Sequence, residues 1–386
     1  MERVRPSIWK RPPPELAVGV AQGGIGFLLA SLGPCLILLS RDLAVPLRAL
    51  SWVSAGFGVG LLLFGTTGRS VLRLGAGRVL SASAAGLALG AVLLATARWM
   101  VTAQAGALSL GLGGAGVVLA SWALLSGPGA ARRLTYANAA SSLAGIGAPP
   151  LIGALDAVTG RGRMALLLSL PPLVWLALSS WRADREGSVV PPPDEVVVRP
   201  RSLASLAARA ACVVAAVSAE FAFVVWGAAR LQACGLSPSA AAAGAVAFPV
   251  GMGTGRLFAP AIADRAPVVF LGAALGIGSC LVAAAPASPA LVIGALAGAG
   301  LGIAPLFPLM LARVMEASAS SRRGASLGTA ASGMAVLGAP LLLGAIAGVS
   351  SLRVGFLFAA AALVPLLWVG LGARRLPKGG GRPASP

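Results

Sequence analysis

The chain has 386 residues, of which 57% are hydrophobic and 11% charged, with a mean hydropathy of +0.89. A soluble domain carries about 25% charged residues, so this composition excludes an ordinary soluble surface. The net charge is +19, but the arginines sit in short stretches between apolar blocks, which argues for membrane topology and against nucleic-acid binding.

Histidine is absent, so the commonest proton relay and metal ligand is missing. Cys35, Cys212, Cys234 and Cys280 are scattered with no C-x-x-C, so neither a metal site nor a disulfide framework is expected. The basic N-terminus MERVRPSIWKRPPPE leads into an apolar run from Leu16 to Leu39. That run is too long for a signal-peptide core and reads as a retained first span.

Twelve apolar segments follow in order, most near the ~20 residues that cross a bilayer core. The first six cover residues 16–40, 49–67, 79–97, 104–126, 137–156 and 164–181. The second six cover 206–229, 238–258, 267–286, 289–312, 325–349 and 354–372. The expected fold is an all-α membrane protein with an N-terminal half (1–181), a charged, Pro-rich cytoplasmic linker (182–205), a C-terminal half (206–373) and a disordered cytoplasmic tail (374–386). On this assignment 23 Lys and Arg residues fall on the side of the termini and 7 on the other. The asymmetry places both termini in the cytoplasm of a multi-pass plasma-membrane protein.

The two halves echo each other. GAPPLIGAL (147–155) returns as GAPLLLGAI (338–346), and residues 131–155 and 322–346 are identical at 11 of 25 positions. Seven of those are Ala or Gly; the others include Arg132/Arg323, Ser141/Ser332 and Pro149/Pro340. The same offset pairs Phe57, Val59 and Gly60 with Phe248, Val250 and Gly251. An even number of spans per half makes the two repeats parallel, which places a binding site between them near mid-membrane. Gly147 with Pro149, and Gly338 with Pro340, are expected to allow close helix approach and a bend in each half. Pro305 and Pro308 predict an interruption in the tenth span.

GRSVLRLGAGRVL (68–80) resembles the loop signature G-x-L-a-D-R-x-G-R-R-x-x-L of the major facilitator superfamily, with Gly68, Arg73, Gly75 and Leu80 in register. Leu72 stands where that signature has an acid; the second half keeps Asp264 and Arg265 in PAIADRA (260–266). The resemblance implies a conformational latch between halves at these loops. The segment G-A-P-P-x-x-G (147–153) is similar to the Gly-Pro signature of drug–proton antiporters in that superfamily, and the Glu220–Trp226 spacing resembles its sugar-transporting branches.

Glu220 is the one acidic residue placed mid-span, in AACVVAAVSAEFAFVVWGAARL. A charged carboxylate at mid-membrane costs on the order of 2.5–3.5 kcal/mol by insertion scales. A carboxyl that gains and loses a proton there is the minimum part for proton coupling or substrate contact. Phe223 and Trp226 lie near it on the same helix. With Gln22, Trp122 and Asn138 they make up the expected cavity wall. No Arg or Lys is expected at mid-membrane, so the cavity reads as apolar and suited to neutral or cationic solutes.

The expected function is secondary active transport of a small organic solute by alternating access, proton-coupled, with export of a hydrophobic or cationic compound ahead of sugar-like uptake. A polytopic membrane enzyme is the rival class, but clustered acids or histidines to hold metal and phosphate are missing. No catalytic residue, cofactor or metal is expected. The expected partners are substrate, protons and the lipid bilayer, with no nucleic acid, in a monomer.

Overall fold

A proline stands just after each point where a predicted apolar span breaks. The computed structural model describes residues 12–126, 130–180, 202–262, 267–318 and 321–372, and among them the secondary structure is helical with no strand. The first half runs α1 (Pro14–Leu43), a 3-10 turn (Leu47–Leu50), α2 (Ser51–Leu72), α3 (Ala76–Thr96), α4 (Met100–Leu124) and α5 (Ala130–Thr159), then a 3-10 stretch (Gly162–Ser169) into α6 (Leu170–Ser180). The second runs α7 (Leu203–Gln232), α8 (Pro238–Gly244), α9 (Ala247–Ile262), α10 (Val268–Ala284), α11 (Pro289–Ile303), α12 (Leu306–Ala317), α13 (Ser321–Val349) and α14 (Leu352–Gly372). The predicted linker and tail fall almost wholly outside the described residues.

Three predicted spans are not continuous α-helices. A proline ring collides with the carbonyl four residues before it and offers no N–H. Pro249 stands four residues after Ala245, where the span predicted over 238–258 breaks between α8 and α9. Pro308 stands four residues after Ala304, where the chain is interrupted between α11 and α12, as the sequence anticipates. Pro171 and Pro172 stand four residues after Leu167 and Leu168, and the start of the sixth span winds as 3-10 helix instead. Pro34, Pro149, Pro150, Pro340 and Pro365 lie inside unbroken helices.

Among the described residues, ten helical segments are long and apolar enough to cross a membrane, and α10 is a shorter apolar helix. Large apolar side chains stand on the outside: Trp52, Leu143, Trp368 and Phe358 are all exposed. In water such patches would aggregate; against lipid chains they cost nothing.

Helix neighbours follow one scheme in each half. α1 packs on α5 as α7 packs on α13; α2 on α4 as α9 on α11; α3 on α4 and α6 as α10 on α11 and α14. Glycines set the closest approaches. The backbone oxygen of Phe57 lies against Gly111, and that of Phe248 against Gly300, so close that a Cβ at either glycine would collide with it. Between the halves, α2 meets α13, α5 meets α8 and α9, and α1 meets α7. A Cβ on Gly153 would lie 2.6 Å from the Ser239 carbonyl oxygen, and one on Gly344 would lie 2.8 Å from Ser51 Cβ. These two glycines are again 191 positions apart, and each lies against the other half.

Candidate functional site

Where α1 and α5 of the first half face α7 and α9 of the second, with Ala245 between α8 and α9, they border a partly open cavity of about 70 Å³. Most of its wall is apolar: Leu29, Pro34, Phe223, Val224, Phe248 and Met252. Phe223 stacks on Phe248 with ring centroids 5.8 Å apart and planes at 9°, and tilts against Phe356 at 5.2 Å.

Four polar groups interrupt this wall. Glu220 enters from α7, Arg256 from α9, and Ser141 and Ser142 from α5. Glu220 makes no direct hydrogen bond or ion pair among the described residues, and Arg256 is the neighbouring charge whose field it feels. Arg256 Nη1 donates to Ser142 Oγ at 3.1 Å, a bond that joins the two halves. The cavity thus holds an acid and a base that face one space without neutralising each other directly.

Arg256 corrects the expectation of a cavity without a cation. By position it reads as a charge near the cytoplasmic end of the eighth span, yet it points inward. Only the packing of α9 against α5 determines that direction. Its setting GMGTGRLFAP, where small residues leave room around a long side chain, is the one hint in the sequence.

Of the residues expected in the wall, Glu220 and Phe223 line this cavity. Gln22 does not: it is buried between α1 and α4, where its Nε2 donates to Ser121 Oγ at 3.2 Å. Trp122 is 52% exposed and Asn138 is exposed, so neither reaches the cavity. Trp226 is fully buried but borders a different depression of about 460 Å³, with Arg48 and Gln232, near the C-terminal end of α7. The helical period places these side chains on faces, and the neighbours of each face are decided by tertiary packing.

In the resemblance loop, Gly75 has φ of 100°, a left-handed conformation that favours glycine, and it caps the start of α3. Gly68 packs under Leu119, Leu72 packs against the core and Arg73 is exposed. Asp264 and Arg265 lie outside the described residues. Gly147 and Gly338 are not close-approach positions: a Cβ on either meets nothing within 4 Å. Gly147→Ala and Gly338→Ala are therefore expected to fold and to gain up to about 1 kcal/mol each from helix propensity. An unchanged or raised melting temperature is the expected reading; failure to fold would return these glycines to a packing role.

At the other end of α1 and α5 a charged cluster closes the bundle. Arg41 grips Asp156 with two bonds of 2.8 and 2.9 Å. Asp156 also accepts from the Gly162 backbone at 3.1 Å and, across the halves, from Ser239 Oγ at 2.9 Å. Asp42 links Arg41 to Arg163, whose Nη1 donates to the Leu94 and Ala97 carbonyls. Two arginines and two acids satisfy one another here, so the cluster reads as structural.

No protein-family model and no curated protein matches the chain. Among solved structures it is similar to the crystal structure of the nucleoside transporter NupG, with a TM-score of 0.68 at 13% identity. The match covers 93% of this chain and 99% of that one. At this identity the likeness speaks for the fold. The chain is a multi-pass helical membrane protein whose fold is similar to that of this solved structure.

Proposed function

We propose that this protein is a proton-coupled secondary transporter of the major facilitator type, which moves a small organic solute by alternating access between two six-helix halves. The observation that carries this reading is the cavity itself. It lies on the seam between the halves and holds Glu220, a mid-span carboxyl without a direct partner among the described residues. Counting α10 and the broken pair α8–α9 as crossings brings the total to twelve, with both termini and the linker in the cytoplasm. The matched helix neighbours and the paired glycines 191 positions apart support two parallel repeats.

Export of a cation loses its basis, because Arg256 would repel one from the same space. An enzyme reading gains nothing either.

Alternating access predicts that one cavity position opens to each side in turn. With Cys35, Cys212, Cys234 and Cys280 replaced, Ser141→Cys is expected to react with a membrane-impermeant maleimide in both right-side-out and inverted vesicles. Reaction from one side only, under every ionic condition, would overturn the proposal.

A further inference from the structure

We infer, resting on the transport reading above, that the solute is a small organic monoanion with an apolar or aromatic body, and that it crosses together with one proton. The geometry behind this is the pairing of Glu220 and Arg256 across one small, mostly apolar space.

Arginine does not release its proton inside proteins, so Arg256 is a permanent cation. Among the described residues it is also the one other charged group lining the cavity: α1 contributes only apolar and glycine positions there, and α5 contributes two serines. An uncompensated charge in such surroundings is costly, so each state that crosses must come close to neutrality. With nothing bound, ionised Glu220 balances Arg256. When Glu220 takes a proton, Arg256 is left, among the described residues, with only the Ser142 hydroxyl, and a carboxylate restores the balance. Proton and anion therefore favour each other's binding, which is coupling in the thermodynamic sense. A cation would leave the cavity with net positive charge whether Glu220 is ionised or protonated. A neutral solute would leave the charge count unchanged and would gain no tie to the proton.

The wall supplies the rest of the specificity. A guanidinium offers a forked pair of donors that matches a carboxylate, and the stacked Phe223 and Phe248 rings suit an apolar or aromatic body. The cavity of about 70 Å³ is well below the roughly 300 Å³ of small-molecule pockets. A solute of this size needs α5 and α9 to move apart, and its carboxylate then takes the place of Ser142 on Arg256.

The test uses the full-length protein in liposomes, with protein-free liposomes subtracted and the interior made alkaline. The anionic probes are radiolabelled lactate, 3,4-dihydroxybenzoate and indole-3-acetate; uridine and choline are the neutral and cationic comparators. At least one anion is expected to accumulate saturably, up to about tenfold for one pH unit and one proton. Its uptake should not respond to a potential set with valinomycin, because the net charge moved is zero. Arg256→Gln should lower that uptake at least tenfold, and Arg256→Lys should retain a larger share of it. Proton-driven movement of uridine or choline with none of the anions would sink the inference while leaving the transport proposal standing. So would anion uptake that follows the membrane potential, or an Arg256→Gln protein that transports as well as the parent. If no probe of any class responds to the proton gradient, the inference and its premise fall together.

Discussion

Glu220→Gln is expected to end proton-driven accumulation while leaving downhill exchange of solute intact. The amide keeps the size of the side chain and its place in the cavity wall, but it cannot take up or release a proton. A gradient of one pH unit is worth about 1.4 kcal/mol per proton, or roughly tenfold accumulation. In the variant that ratio should fall to about one, whereas counterflow between labelled and unlabelled solute should continue at a comparable rate. The pair of readings separates a coupling role from a structural one. A Glu220 that serves only to join helices would lose both activities together, or neither. If the variant still concentrates solute on a pH gradient alone, proton coupling must reside elsewhere.

Arg41→Ala should cause the largest loss of stability. Asp156 is almost fully inaccessible, with its side chain 1% exposed, and it accepts both arginine bonds as well as those of Gly162 and Ser239. Removing one partner of a buried pair leaves the other charge uncompensated, at a cost of about 3–5 kcal/mol. Arg41 is itself 38% exposed, so water entering the gap places the expected loss near the lower end of that range, about 3 kcal/mol. Arg41→Ala/Asp156→Ala should be less unstable than Arg41→Ala alone, because no buried carboxylate then remains. Thermal unfolding of the purified protein in detergent measures both, and the double-mutant cycle isolates the pair. Strictly additive losses would mean that the two side chains do not depend on each other.

Membrane class could be read from the chain without any coordinates. Long apolar blocks with so few charges must be helices in lipid, because no other open structure satisfies its backbone there. The break before Pro308 is legible in the sequence, but those at Pro249 and Pro171 are not, because Pro34, Pro149, Pro340 and Pro365 show that a proline alone does not end a helix here. The 191-residue echo was also visible, although its physical content was misplaced. The first glycine of each copy, Gly147 or Gly338, touches nothing, while the last, Gly153 or Gly344, meets the opposite half.

Composition and spacing by themselves determined that this chain is a bundle of apolar helices, that it carries an internal echo, and that one carboxyl, Glu220, stands midway along a span. Those are properties of one segment at a time, and hydropathy, chain length and backbone chemistry suffice to set them. Tertiary structure alone decided that Arg256 turns inward to share a cavity with Glu220, while Trp122 faces outward and Gln22 is bound to Ser121. The direction of a side chain is fixed by the rotation of its helix, but what it meets depends on helices far away in sequence, and no local pattern encodes that meeting.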